Sequence, residues 1–162
     1  MKHIISVVVR NNSGVLARVS SLFGRRGFNI DSLSVSATDD PLISRITVVV
    51  NGDDNALEQV VKQTAKLVDT ISVTALREEN TVARELLLVK VIFHADIDKD
   101  VVSLCDRFGS MILDITDKSM IIELTGTTYK IDEFMSELIN HATTFRISKV
   151  CRTGITAMER GL

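Results

Sequence analysis

The feature that most constrains this chain is a change of hydrophobic period, from two residues to three-or-four and back, that runs through it twice in the same order. From His3 to Val9 the residues are β-rich and read as a strand. Val15, Leu16, Val19, Leu22 and Phe23 then fall at helical spacing and give one apolar face. Gly27 stops that helix, with Arg25 and Arg26 in its last turn, where cations suit the helix dipole. Phe28 to Ala37 returns to strand, Leu33, Val35 and Ala37 alternating with serines. Ile30 is out of phase with that set, which predicts a bulge near Asp31. After the turn TDDPL comes a third strand, Ile43 to Val50, and then a helix start at Asp53 or Asp54. Leu57, Val60, Val61, Leu67 and Val68 mark the second helix, and Thr70 to Leu76 a fourth strand.

The same order follows again after REENTVAR, a polar stretch without apolar periodicity. Glu85 to Phe93 is a strand and Asp98 to Phe108 a helix stopped by Gly109. Met111–Thr116 and Ser119–Thr125 form a hairpin about Asp117-Lys118, Lys130 to His141 is a helix, and Phe145 to Cys151 is a last strand. Each half is β-α-β-β-α-β, the split pattern of ferredoxin-like folds. The expectation is an α+β protein of two consecutive ferredoxin-like domains, residues 1–77 and 85–162, joined by a linker over 78–84. Two helices cover only one face of a four-stranded sheet. The bare faces still carry Val, Ile and Leu, so a homodimer that hides a face or an edge is expected on physical grounds. The tail RTGITAMERGL is expected either to dock onto a partner or to pack as a helix on its own domain.

Bulk composition excludes more than it assigns. Across 162 residues the formal net charge is −2, which leaves no electrostatic footprint for nucleic acid, and the pairs Arg25-Arg26 and Lys149/Arg152 are too small to make one. The longest apolar run, LLLVKVIF, is broken by Lys90 and falls far short of the ~20 residues that span a bilayer. The N-terminus lacks the length and cleavage site of a signal peptide. Two cysteines, Cys105 and Cys151, are too few for a disulfide framework, so a soluble, cytoplasmic protein is expected. His3, His94 and His141 are scattered, and no metal-ligand spacing occurs. The triplet Asp96, Asp98, Asp100 lacks the glycine and terminal Glu of a Ca²⁺ loop and reads better as a solvated helix start. Neither a nucleophile elbow nor a P-loop nor a dinucleotide-binding glycine set is present, and no catalytic residue is assigned.

One stretch does point to a ligand. Asn11, Asn12, Ser13 and Gly14 form a short polar loop feeding a helix N-terminus, where backbone N–H groups lack partners and an anion is welcome. Ser13 capping the helix and Gly14 easing the turn account for the pattern without a ligand. Against that plain account, two asparagines are more polar capacity than one cap uses. Asn29 also recurs at the start of the next strand, beside the same sheet end. An amide side chain offers donors and an acceptor, so it can meet both an α-ammonium and an α-carboxylate. Val15, Leu16 and Ile30 could line a pocket for a short aliphatic side chain. The second half has no copy of this loop.

Several blocks make the chain resemble the small regulatory subunit of acetohydroxyacid synthase (acetolactate synthase) of the bacterial type. They are N-x-S-G-V-L-x-R-V at Asn11–Val19, R-G-F-N-I-x-S-L at Arg26–Leu33 and T-D-D-P at Thr38–Pro41. L-V-K-V at Leu88–Val91, E-L-T-G at Glu123–Gly126 and the R-T-G-I of the tail add to them. The resemblance runs over essentially the whole chain and implies an N-terminal ACT domain, a βαββαβ effector module, followed by a second ferredoxin-like domain. It implies no chemistry and no cofactor in this chain. The partner would be a large catalytic subunit that uses thiamine diphosphate, Mg²⁺ and FAD, which this chain activates and makes sensitive to feedback inhibition by valine or another branched-chain amino acid. ACT domains of the family pair side by side with effectors between them. Asn11, Ser13, Gly14, Val15 and Leu16 of one chain would thus face Asn29 and Ile30 of its neighbour. A stand-alone amino-acid sensor of another pathway and a small isomerase or lyase remain as alternative readings. A transcription regulator is disfavoured by the absence of a basic helix-turn-helix.

Overall fold

A computed structural model describes residues 2–161 and divides them into two compact units. The first unit runs β1 (Lys2–Arg10), α1 (Val15–Arg25), β2 (Ile30–Ala37), β3 (Ile43–Asn51), α2 (Asp54–Thr64) and β4 (Thr70–Leu76). Its sheet has the order β2-β3-β1-β4, and every neighbouring pair is antiparallel. With β1 and β3 in the middle, their period-two apolar sets are buried most completely. Ile5, Val7 and Val9 of β1 and Ile46, Val48 and Val50 of β3 face the helices. They meet Val15, Val19 and Phe23 of α1, Val60 of α2, and Phe28 in one core.

Local signals in the sequence account for the joints of this unit. Gly27 has φ 77°, and behind it Phe28 N–H bonds to the Phe23 carbonyl at 3.1 Å while Gly27 N–H bonds to that of Gly24 at 3.0 Å. This left-handed stop satisfies the last carbonyls of α1. The bulge near Asp31 is present: the β2–β3 register shifts between Ile30 and Ser32, which returns Ile30 to the face of Leu33. Asn51 Nδ2 donates to Asp31 Oδ2 at 2.5 Å across it. Of the two candidate caps of α2, Asp53 is the one used, accepting from Ala56 N–H at 2.7 Å. That helix ends at Thr64, so Leu67 and Val68 lie beyond it; Leu67 still packs on the core, and Val68 is exposed.

The second unit covers Arg84–Thr153. It takes its share of β5 (Thr81–Phe93), then α3 (Lys99–Phe108), β6 (Met111–Ile115), β7 (Ser119–Gly126), α4 (Thr128–Asn140) and β8 (Phe145–Arg152). The main order, β6-β7-β5-β8, repeats that of the first sheet element for element. Leu87, Val89, Val91 and Phe93 of β5 pack with Met120, Ile122 and Leu124 of β7 beneath Leu104, Ile131, Phe134 and Leu138 of the helices. Cys105 belongs to this core, and burial pushes its thiol up, as suits an inert packing residue. Asp98 caps α3, accepting from Asp100 N–H at 2.7 Å. The Thr144 hydroxyl, followed by these backbone donors, holds the Asp98 carboxyl below its ordinary value. The acidic triplet is thus a helix start.

The expected boundaries differ from the observed ones at two places. Residues 78–84 are not an irregular linker: Glu78–Asn80 form a single 3₁₀ turn, and Thr81 already opens β5. The tail is not a helix. Thr156–Glu159 form a strand, β9, that pairs with β5, and residues from Gly154 onward cluster with the first unit. Ile155 and Ala157 bury themselves on Val49, Ile4, Leu76 and Ala83, covering part of the sheet face that the helices leave bare. Gly154 (φ 74°) makes the entry possible: a Cβ there would strike Ser32 Oγ, and Ser32 Oγ accepts from Ile155 N–H at 2.8 Å.

Glu85, 4 % exposed, is the one buried carboxylate among the described residues. Arg152 meets it in a two-pronged pair, Nε to Oε1 at 2.6 Å and Nη2 to Oε2 at 2.9 Å, and gives Nη1 to Asp132 on α4 at 2.8 Å. Glu85 above all, then Asp132, hold the guanidinium firmly protonated. Removing the cation would leave a buried charge uncompensated. We expect Arg152→Met to lower stability by roughly 2–3 kcal/mol in urea unfolding, and Arg152→Met with Glu85→Gln to recover part of that loss.

Candidate functional site

The loop between β1 and α1 sits at the sheet end where β1 finishes. Asn11 N–H bonds to the Leu42 carbonyl at 2.7 Å and Asn11 Nδ2 to that of Pro41 at 3.0 Å, which ties the loop to the β2–β3 turn. The Asn11 side-chain oxygen is left as a free acceptor among the described contacts. Asn12 reaches the other way, Nδ2 to Asp69 Oδ1 at 2.8 Å, and Arg18 Nη2 meets Asp69 Oδ2 at 2.5 Å. Asp69, at the end of the α2–β4 connection, therefore holds both ends of the loop-helix joint. Asn12, with Arg18 after it, keeps the Asp69 carboxyl below its ordinary value.

The capping expected of Ser13 does not occur. Gly14 is the N-cap, in the left-handed region at φ 78°, and no side chain caps α1. Val15 N–H is bonded to the Asn12 carbonyl at 3.3 Å; among the described residues no hydrogen bond reaches the N–H groups of Leu16 and Ala17. The helix start thus presents free donors to solvent, next to the Arg18 guanidinium, whose Nη1 would lie 3.3 Å from a Cβ on Gly14. Free helix-start donors beside a guanidinium, here paired with Asp69, are suited to a carboxylate. Val15 is 4 % exposed and committed to the core, whereas Leu16 is 38 % exposed and available to a ligand.

Asn29 and Ile30 are elsewhere. The sequence places Asn29 beside the same sheet end as the loop, and the register overturns this. Ile30 pairs with Val50, which pairs with His3, whereas the loop follows Arg10, opposite Ile43. From His3 to Arg10 at ~3.4 Å per residue, the two groups lie about 24 Å apart along the sheet. Within one chain the structure brings Asn11, Ser13, Gly14, Val15 and Leu16 together and keeps Asn29 and Ile30 at the opposite end.

Sequence reasoning missed Arg18, Asp69 and the Pro41–Leu42 carbonyls. Arg18 is legible in hindsight, one helical turn after Gly14. Asp69 gives no local signal, because its role depends on β4 starting beside the end of β1. Among the described residues there is no cluster of three or more His, Cys, Asp or Glu that could hold a metal ion, and no helix long and apolar enough to cross a membrane.

This fold defines a βαββαβ module followed by a second domain of the same topology, and the comparisons agree. Residues 5–72 match the AHAS small subunit-like ACT domain, and residues 84–161 match the family described as small subunit of acetolactate synthase. The chain is 42 % identical over 161 residues to the acetolactate synthase small subunit of Haemophilus influenzae, covering 99 % of this chain and 97 % of that one. It is 39 % identical to the isozyme 3 small subunit of Escherichia coli, again over 99 % and 97 %. The crystal structure of the Thermotoga maritima small subunit superposes with a TM-score of 0.90 at 38 % identity, covering 100 % of this chain and 99 % of that one. The chain belongs to the acetolactate synthase small-subunit family, the regulatory part of that enzyme. A small subunit implies a catalytic partner chain.

Because Asp69 is held below its ordinary carboxyl value, its bonds to Asn12 and Arg18 contribute at neutral pH and are lost as pH falls through that lowered value. Hydrogen exchange of the Asn12–Val15 amides should therefore accelerate relative to the β1 core as pH is taken below the usual carboxylate range, after correction for the intrinsic rate. Asp69→Asn should show the faster exchange already at pH 7.

Proposed function

We propose that this chain activates the thiamine-diphosphate-dependent catalytic subunit of acetolactate synthase, without chemistry or cofactor of its own, and confers feedback inhibition by valine. Thiamine diphosphate, Mg²⁺ and FAD belong to the catalytic subunit, and the complex works in the cytoplasm. Valine sits between two copies of the first domain. Its carboxylate meets the free donors of the α1 start, its ammonium the Asn11 oxygen and Asn29 of the neighbour, and its side chain Leu16 and the neighbour's Ile30.

The observation that carries this reading is the 24 Å-scale separation of the two half-sites within one chain. The edge strand β2 exposes unpaired backbone groups, and its Val35 is 46 % exposed. Antiparallel pairing of β2 with β2 of a second copy, about a two-fold axis, sets the start of one strand beside the finish of the other. That operation is the one that joins the loop at one sheet end to Asn29 at the opposite end. In the second sheet β6 has the same edge position and exposes Met111, Ile112, Leu113 and Ile115, an edge of the kind that a partner strand or chain covers.

Control then follows from unequal binding. A dimer with valine bridging its two chains is favoured over a geometry that engages the catalytic subunit productively. A preference of ~1–3 kcal/mol between the two states suffices for typical allosteric coupling. Valine and its branched-chain relatives are separated only by methylene-sized differences, each worth ~1–3 kcal/mol.

Gly14→Asp is the discriminating variant. Asp tolerates the left-handed backbone better than most residues, and its carboxylate would occupy the effector's space beside Arg18. In reconstitution with the catalytic subunit, acetolactate formation should remain activated while valine inhibition falls at least tenfold in sensitivity. Asn11→Ala, which keeps the Gly14 backbone, should act in the same direction. Full valine sensitivity in both variants would displace the site, and absence of any rate change on adding the wild-type chain would displace the regulatory mechanism.

A further inference from the structure

A polar cavity of about 320 Å³ opens on the sheet face of the first unit opposite the helices, between β2, β3 and the tail strand β9. Ser34 and Ser36 of β2, Arg45 and Thr47 of β3 and Thr156 of β9 line it, with Asp39 at its exposed mouth. It shares no residue with the effector loop.

Two features show that the cavity is poised for an anion. Arg45 is half-buried and donates from Nη1 to Ser6 Oγ at 2.8 Å, yet no described carboxylate lies within 4.0 Å of it. Thr47 lines the cavity with a hydroxyl that makes no hydrogen bond among the described residues and is open to solvent there. A cation partly withdrawn from water without a counter-charge is costly, and an oxyanion would relieve that cost while accepting from the open Thr47 hydroxyl. Guanidinium and several hydroxyl donors converging from three strands match the oxygens of a carboxylate or phosphate.

We propose that this cavity binds a small oxyanion, a carboxylate or phosphate, distinct from the amino-acid effector, and that the anion fastens the C-terminal strand to the sheet. Thr156 and Met158 come from that strand, so occupancy requires the tail to be docked, and docking gains from occupancy. Asp39 opposes the anion from the mouth and limits the site to ligands of low charge.

Titration of the full-length chain with sodium acetate and with sodium phosphate, at constant ionic strength, followed by backbone amide NMR, tests this. Saturable shifts are expected for Ser36, Thr47 and Thr156 with at least one of the two salts, and the tighter salt identifies the anion class. Arg45→Met should weaken binding at least tenfold, Thr47→Val should weaken it with the fold unchanged, and Asp39→Asn should tighten it. Asn11→Ala should leave it unaltered. Hydrogen exchange over 155–159 should slow in the saturating salt. Linear, unsaturable shifts with both salts, binding unchanged in both Arg45→Met and Thr47→Val, or saturable shifts confined to other surfaces would overturn the proposal.

Discussion

A strand followed by a helix that packs back on its own sheet carries the chain to the opposite end of that sheet before the next strand begins. The rest of this structure depends on that constraint. Eleven residues of α1, about 16 Å of helix, return the chain from the end of β1 to the start of β2, so β1 and β2 run in the same direction with β3 between them. The burial of Val15, Val19 and Phe23 against Ile5, Val7 and Val9 makes that return obligatory, since no other course hides both apolar sets. Everything at the β1 end is thereby separated from everything at the β2 start. Two polar groups near in sequence, Asn11 and Asn29, come to lie at opposite ends of the sheet.

The same architecture decides what each face of the first sheet can do. The helices take one face, and a four-stranded sheet with two helices has no further covering of its own. Part of the other face is closed by chain that arrives from the far end of the sequence, through Gly154 and the apolar pair Ile155 and Ala157. The remaining part stays polar, with serines and threonines around Arg45. The first unit therefore is not a continuous stretch of sequence. It is closed by a tail, Ile155 and Ala157 above all, that no local pattern assigns to it, and its stability and the docking of the tail are linked.

Much of this was legible in advance. Ile30, out of phase by one residue, announced the bulge that the register shows, because a strand side chain can change face only if an extra residue intervenes. Gly27 and Gly109 located the ends of α1 and α3, and Cys105 read correctly as a core residue. The blocks around Asn11–Val19 and Arg26–Leu33 were enough to name the family to which the chain belongs. What failed did so for definite reasons. Ser13 looked like a cap because Ser is a good one, but Gly14 takes the left-handed turn and the cap position with it. Residues 78–84 looked like a linker because charge hides a strand whose partner, β9, lies some 75 residues later.

The sequence by itself determined the elements, their order and the presence of a polar loop at a helix start, because these rest on periodicity, turn chemistry and helix termini, which act over a few residues. Only the tertiary structure decided which groups meet. Asp69 anchors the loop, Arg152 neutralises Glu85, and the tail lies on the first sheet, each through contacts between residues more than 50 apart in the chain. The separation of Asn29 from Asn11 was likewise a matter of strand direction and register. Those are set by which faces must be buried together, and no local signal carries that information.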